Sequence, residues 1–154
     1  ASERRFLIDR HRRPMAHARW GQTLSALRLA SAAIDLSDGL SGDLRHLCEQ
    51  SRVGAEIDAA ALPLSPALRA YARSSHTDPV PLALQGGEDY ELLFTVPPTK
   101  QRMLQRVAQR AGRRVTRIGV IRPNAFGLRM RETTGRMRRL PVTSYVHFHN
   151  VAPE

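Results

Sequence analysis

Apolar positions along the chain follow two rhythms, one close to the helical period and one continuous over short runs. Trp20, Leu24 and Leu27 recur at near-helical spacing and predict a helix over residues 15–29, with Gly21 weakening its middle. Residues 30–34 form a short apolar run that leads directly into Asp-Leu-Ser-Asp-Gly, the pattern of a buried strand entering a polar turn. After the turn, Leu40, Leu44, Leu47 and Cys48 fall at i, i+4, i+7 and i+8, an amphipathic helical stripe whose start Ser37 or Asp38 would cap.

Residues 54–57 suggest a second strand. Ser65-Pro66 is a cap and first-turn pair for a short helix to about residue 74, followed by a polar loop over 74–80. Gly86-Gly87 leads into a strand over 90–96 that stops at Pro97-Pro98. Thr99 is placed to cap a helix with Met103, Leu104, Val107, Ala108 and Ala111 on one face and Gly112 at its end. Strands are expected over 115–121 and 126–130, with a turn near Thr134-Gly135. Residues 1–14 show no clear period and end in Pro14, and read as a linker or extended lead-in. Strands and helices intermingle, so one layered α/β domain is expected, with the parallel or mixed character of its sheet left open by periodicity.

Composition narrows the field. With 154 residues, 42% hydrophobic and 25% charged, the chain is ordinary for a globular domain, which excludes disorder and collagen-like repeats as overall descriptions. No stretch approaches the roughly 18 apolar residues of a spanning helix, and the first residues lack the apolar core of a secretory signal. Cys48 is the only cysteine, which excludes an intrachain disulfide and fits a reducing cytoplasm.

The formal net charge is +10, and Lys100 is the only lysine among the 24 cations. Residues 101–140 hold twelve arginines and one acid, Glu132. A clustered cationic surface suits nucleic acid, but only one aromatic, Phe126, lies in the stretch. Arg102, Arg106, Arg110 and Arg113 also fall opposite the apolar stripe of their helix, as on an ordinary solvated face. Against this basic background, six of the fourteen acids gather in two knots: Asp35, Asp38 and Asp43, then Glu88, Asp89 and Glu91.

The first knot sits where a strand runs into a helix. Alternation would place Asp35 and Ser37 on one side while the turn re-aims Asp38, so three hard oxygen ligands converge. Such a set suits Mg²⁺, which takes one or two carboxylates and completes its shell with water and phosphate oxygens. The helix N-terminus behind it would present N–H groups to a phosphate. The competing reading makes Ser37 and Asp38 helix caps only. In the second knot, Gly86-Gly87 permits close backbone approach or a simple turn. Neither a GxxxxGK[ST] loop nor GxGxxG is present, which removes the usual support for a Walker-type ATPase or a dinucleotide fold. His147-Phe148-His149 has no acidic or cysteine partner nearby in sequence, and reads as surface or structural.

AIDLSDGLSGDLRHL, then VGAEIDAAALPLS, then LQGGEDYELLFTVP together resemble the C-terminal half of bacterial thiamine-monophosphate kinases, of the aminoimidazole ribonucleotide synthetase superfamily. The likeness is strong over residues 30–96 and weaker through 116–120 and 144–148. It implies a three-layer α/β/α domain with a mixed sheet over residues 15–154, joined through 1–14 to a missing N-terminal domain that dimerises in the full-length protein. It also implies Mg²⁺-dependent transfer of the ATP γ-phosphate to thiamine monophosphate, with no membrane or nucleic-acid partner. By the same resemblance Asp35 and Asp38 hold magnesium, Ser37 touches ATP, Glu88 contacts the thiamine substrate and Tyr145 packs on its rings. Ser144 and Val146 stand where the family's terminal motif usually has glycine and aspartate. A sister enzyme acting on a formylglycinamidine ribonucleotide, selenide or a carbamoyl group is the alternative, and GGEDYELLF argues against it.

Overall fold

Alternation along two short strands decides the layering. A computed structural model describes residues 2–141. Its helices are α1 (Ser2–Arg12), α2 (Ala18–Ala26), α3 (Leu40–Ser51), α4 (Pro66–Ser74), α5 (Pro79–Gln85) and α6 (Gln101–Arg110). Its strands are β1 (Ala32–Asp35), β2 (Val53–Asp58), β3 (Leu92–Thr95), β4 (Gly119–Pro123), β5 (Leu128–Arg131) and β6 (Met137–Arg139). β1 and β3 pair antiparallel, with Ile34 opposite Leu93. Successive strand side chains point to opposite faces. Ala32, Ile34 and Leu93 accordingly pack into a core built from α3, α5 and β2, where Leu44, Leu47, Ile57 and Leu84 are buried. Leu92 and Phe94 face the other way, onto a second core of Trp20 and Leu24 from α2 and Leu104 and Ala108 from α6. The β1–β3 ribbon is thus the filling between two helical layers.

A second sheet runs β4-β2-β5-β6, with β2 antiparallel to β4 and parallel to β5. The domain is therefore a three-layer α/β fold with mixed strand pairing. Ala55 and Ile57 of β2 point into the first core, while Glu56 points to the outer face. There Arg122 reaches one Glu56 carboxylate oxygen through Nη2 at 2.6 Å and Nε at 3.1 Å, and Arg131 Nη2 reaches the other at 2.6 Å. The two guanidiniums hold the Glu56 carboxyl below the usual glutamate range. No helix among the described residues is long and apolar enough to cross a membrane.

Several elements match the sequence pattern, and the departures have local causes. Ser65 Oγ accepts the Leu68 N–H at 3.1 Å and Pro66 opens α4, as its sequence requires. Residues 2–12, read as a linker, form α1 packed against α4. The signal there was electrostatic rather than periodic: Glu3 in the first turn and Arg10, His11 and Arg12 in the last match the helix dipole. The loop expected over 74–80 ends early, because Asp78 accepts the Val80 N–H at 2.9 Å and Pro79 starts α5. Thr99 does not cap α6; a 3-10 turn over Pro98–Lys100 feeds that helix without a side-chain bond. β4 begins four residues after the expected start of its strand, at Gly119 opposite Ile57. β6 pairs with β5 although its sequence, Met-Arg-Arg, carries no strand alternation.

Candidate active site

Asp35 ends β1 and is exposed, while Ser37 and Asp38 follow half-buried in the turn before α3. The ladder between β1 and β3 continues past both strands. Leu36 N–H donates to Glu91 O at 2.9 Å, Tyr90 N–H to Leu36 O at 2.8 Å, and Glu88 N–H to Ser37 O at 2.9 Å. The two acidic knots, about fifty residues apart in sequence, are therefore joined backbone to backbone. Each supplies a glycine that the other's main chain demands. A Cβ on Gly87 would lie 2.5 Å from Ser37 O, and one on Gly39, at φ +101°, would lie 3.0 Å from the Gln85 carbonyl.

The turn itself is pinned from the helix side. Asp38 N–H donates to Asp43 Oδ2 at 3.1 Å, and Ser37 Oγ donates to Asp38 Oδ1 at 3.3 Å. This corrects the expectation that Ser37 or Asp38 caps α3: the cap residue is Gly39, with no side-chain cap bond. The Gly39 carbonyl takes the Gly42 and Asp43 N–H groups at 3.1 and 3.0 Å, the first bonds of the helix. Asp43 is only 2% exposed. Burial pushes its carboxyl above the usual aspartate range, drawn back partly by the Asp38 N–H and pushed further by the Asp38 charge.

Glu88 and Tyr90 both hold left-handed backbones, at φ +67° and +50°. Neither residue is glycine, so this geometry is strained and is held by the ladder bonds on either side. The Glu88 charge, then burial and a hydrogen bond to Glu88, then the charges of Asp35 and Asp38, raise the Tyr90 phenol above its ordinary range. Tyr90 thus sits among three of the four described residues expected to bind ligand. The strand expected over 90–96 begins at Leu92, so Tyr90 lies in the knot ahead of it. On the far side of the knot, Glu91 lies 3.1 Å from His17 Nε2 and 3.5 Å from Arg10 Nη2, which ties α1 to the same segment.

Among the described residues, no group of three or more His, Cys, Asp and Glu side chains is arranged to hold a metal ion. The donor set at the corner is one aspartate ending β1 and one in the turn after it, with a hydroxyl between them. That set fits Mg²⁺, which binds through one or two carboxylates and takes the rest of its six ligands from water and phosphate. Tyr145 and the His147-Phe148-His149 run lie outside the described residues. The arginine-rich stretch is divided: Arg102, Arg106 and Arg110 are exposed on α6, while Arg122 and Arg131 are engaged with Glu56 on the sheet.

The model of the family described as AIR synthase related protein, C-terminal domain, matches residues 8–129. The chain belongs to this family. Thiamine-monophosphate kinase of Escherichia coli K12 is 44% identical over 131 residues, covering 83% of this chain and 38% of that protein. The enzyme of the same name from Haemophilus influenzae is 50% identical over 94 residues, covering 60% of this chain and 27% of the relative. The crystal structure of thiamine-monophosphate kinase from Stenotrophomonas maltophilia superposes with a TM-score of 0.75 at 37% identity, over 84% of this chain and 39% of that one. AaThiL complexed with AMPPCP and TMP superposes with a TM-score of 0.78 at 32% identity, over 96% of this chain and 43% of that one. The likeness to thiamine-monophosphate kinases therefore holds in both sequence and fold, and this AIR synthase-related domain spans about two fifths of their length.

Proposed function

We propose that this chain is the C-terminal part of a thiamine-monophosphate kinase, in which it binds Mg²⁺ and ATP and presents thiamine monophosphate to the γ-phosphate. The observation that carries the reading is the ladder that sets the Asp35–Asp38 turn beside Glu88, in a chain resembling these kinases throughout. One structural relative holds AMPPCP and TMP together. The products are thiamine diphosphate and ADP.

The difficulty in this reaction is charge. A phosphate monoester has a second pKa of about 6, so the acceptor oxygen is mostly ionised at neutral pH and needs no general base. Two like charges about 4 Å apart repel by roughly 4 kcal/mol at an effective dielectric near 20. Magnesium, when bound, supplies the positive charge that lets donor and acceptor phosphates approach in line. Asp35 and Asp38 hold it, and Ser37 offers its hydroxyl to ATP. Glu88 contacts the cationic thiamine portion of the acceptor, and Tyr145 packs on its rings. No covalent enzyme intermediate is required.

We infer that the rest of the complete enzyme, beyond the part this chain matches, supplies the remaining magnesium-binding acids and most of a homodimer contact, and that the enzyme works in the cytoplasm. On this reading residues 1–14 lead in from that missing domain and 15–154 form the ligand-binding one. The isolated chain then folds but turns over little. Measuring ATP consumption by the complete protein with thiamine monophosphate, formylglycinamidine ribonucleotide, selenide and a carbamoyl donor tests the assignment. Turnover confined to thiamine monophosphate is expected, and turnover only with another substrate would transfer the chain to a sister activity.

A further inference from the structure

Two acids are buried among the described residues, Glu56 and Asp43. Glu56 has two arginines to answer its charge. Asp43 has no cation bonded to it among the described residues and instead accepts backbone N–H groups of the turn, that of Asp38 on Oδ2 at 3.1 Å and that of Ser37. A buried carboxylate is costly unless something compensates it, and its position in the first turn of α3 gives it the positive end of the helix dipole. An ordinary cap works from the loop inward, with the residue before the helix accepting helical N–H groups. Here the direction is reversed: a helical side chain reaches out to the loop.

What this fixes is the peptide that carries Asp38. Leu36 and Ser37 are held from the other side, through their carbonyls, by the Tyr90 and Glu88 N–H groups. Asp38 is followed by Gly39 at φ +101°, so the chain can pivot immediately after it. We propose that Asp43 is a positioning residue for the metal site: it holds the Asp38 peptide so that the Asp38 and Asp35 carboxylates are set together before magnesium arrives. The proposal rests on the reading of Asp35 and Asp38 as magnesium ligands. Residues that orient metal ligands typically change metal affinity by about 10–100-fold when removed.

The test has two readouts. In the 154-residue chain, amide hydrogen exchange reports the brace without any metal. Asp43→Ala should speed exchange at Asp38 by about tenfold or more, the effect of losing a hydrogen bond to a charged acceptor, while β2 amides keep their protection. Asp43→Asn, which still offers a neutral acceptor, should speed it by about threefold. In the complete kinase, Asp43→Ala should raise the Mg²⁺ concentration needed for half-maximal rate by about tenfold or more, with excess Mg²⁺ restoring most of kcat and KM for thiamine monophosphate unchanged. A variant that lowers kcat equally at every Mg²⁺ concentration, or leaves Asp38 exchange unchanged, overturns the proposal. If Asp43→Ala also loses β2 protection, Asp43→Asn decides, and an unshifted Mg²⁺ requirement in it counts against the proposal. Asp35→Asn serves as the reference: if it too leaves the Mg²⁺ requirement untouched, the magnesium reading of the corner fails; if it shifts while Asp43→Ala does not, only the role of Asp43 fails.

Discussion

On the outer face of the four-stranded sheet, Glu56 meets Arg122 and Arg131 at 2.6 Å each, and both lone-pair ends of its carboxylate are taken. At the corner between β1 and α3, Asp35, Asp38 and Glu88 are gathered by main-chain bonds, a crowded glycine pair and two left-handed non-glycine residues. The first arrangement neutralises charge within the fold. The second concentrates it, so that the Tyr90 phenol is raised by three neighbouring carboxylates at once. On the proposed function, the acid on one sheet is paired within the fold, whereas the like charges gathered beside the other are held for a cation from outside.

The largest expected contrast is functional. Asp35→Asn and Asp38→Asn in the complete enzyme should each cut turnover by about a hundredfold or more at fixed Mg²⁺, while the thermal midpoint stays within a few degrees of wild type. Near-normal rates in both would make the corner a structural acid pair like Glu56. Next comes the joint between the two knots. Gly87→Ala forces a methyl against Ser37 O, and should cost about 1–3 kcal/mol in a urea titration of this chain, because backbone rather than a mobile side chain has to yield. A stability loss below about half a kcal/mol would show that the knots are not locked together.

Much of this corner is legible in the sequence, and the reason is locality. The apolar run, the SDGL turn and the stripe through Leu40, Leu44 and Leu47 lie within twenty residues, so period and turn chemistry place Asp35, Ser37 and Asp38 at a strand-to-helix junction. The joint with Glu88 is different, since hydrogen bonds between residues 36–37 and 88–91 leave no trace in local periodicity. It was reachable only through the resemblance of the two motifs to one family. Asp43 looked like one more acid in a knot because direction, inward and backward to Asp38, is set by packing and not by spacing. α1 leaves no periodic signal because its pattern is one of charge order, with exposed Phe6 and Ile8 giving no apolar stripe.

Smaller effects sharpen the contrast. Glu88→Gln should act on thiamine monophosphate, raising its KM by about tenfold while KM for ATP changes little, because only the acceptor carries a cationic thiamine portion. Equal changes in both constants would move Glu88 out of the acceptor site. The smallest effect is on the sheet and depends on pH. The Glu56 carboxyl is depressed from its ordinary value of 4.5 by Arg122 and Arg131, so its contribution to stability is fully present above that value and is lost as pH falls through the lower folded value. Glu56→Gln should therefore be less stable than wild type at neutral pH and lose less on acidification below 4.5. Parallel urea midpoints for the two proteins across that range would deny Glu56 its ion-pair role.

The central claim is that carboxylates beside the first strand-to-helix corner grip a divalent cation so that two anionic phosphates can meet. A crystal structure of the complete protein with Mg²⁺, a non-hydrolysable ATP analogue and thiamine monophosphate reads this out directly. The account predicts Asp35 and Asp38 oxygens on Mg²⁺ at about 2.1 Å, with the nucleotide phosphates completing the shell. Asp35 and Asp38 turned away as internal braces, with nucleotide and metal bound elsewhere, would contradict it.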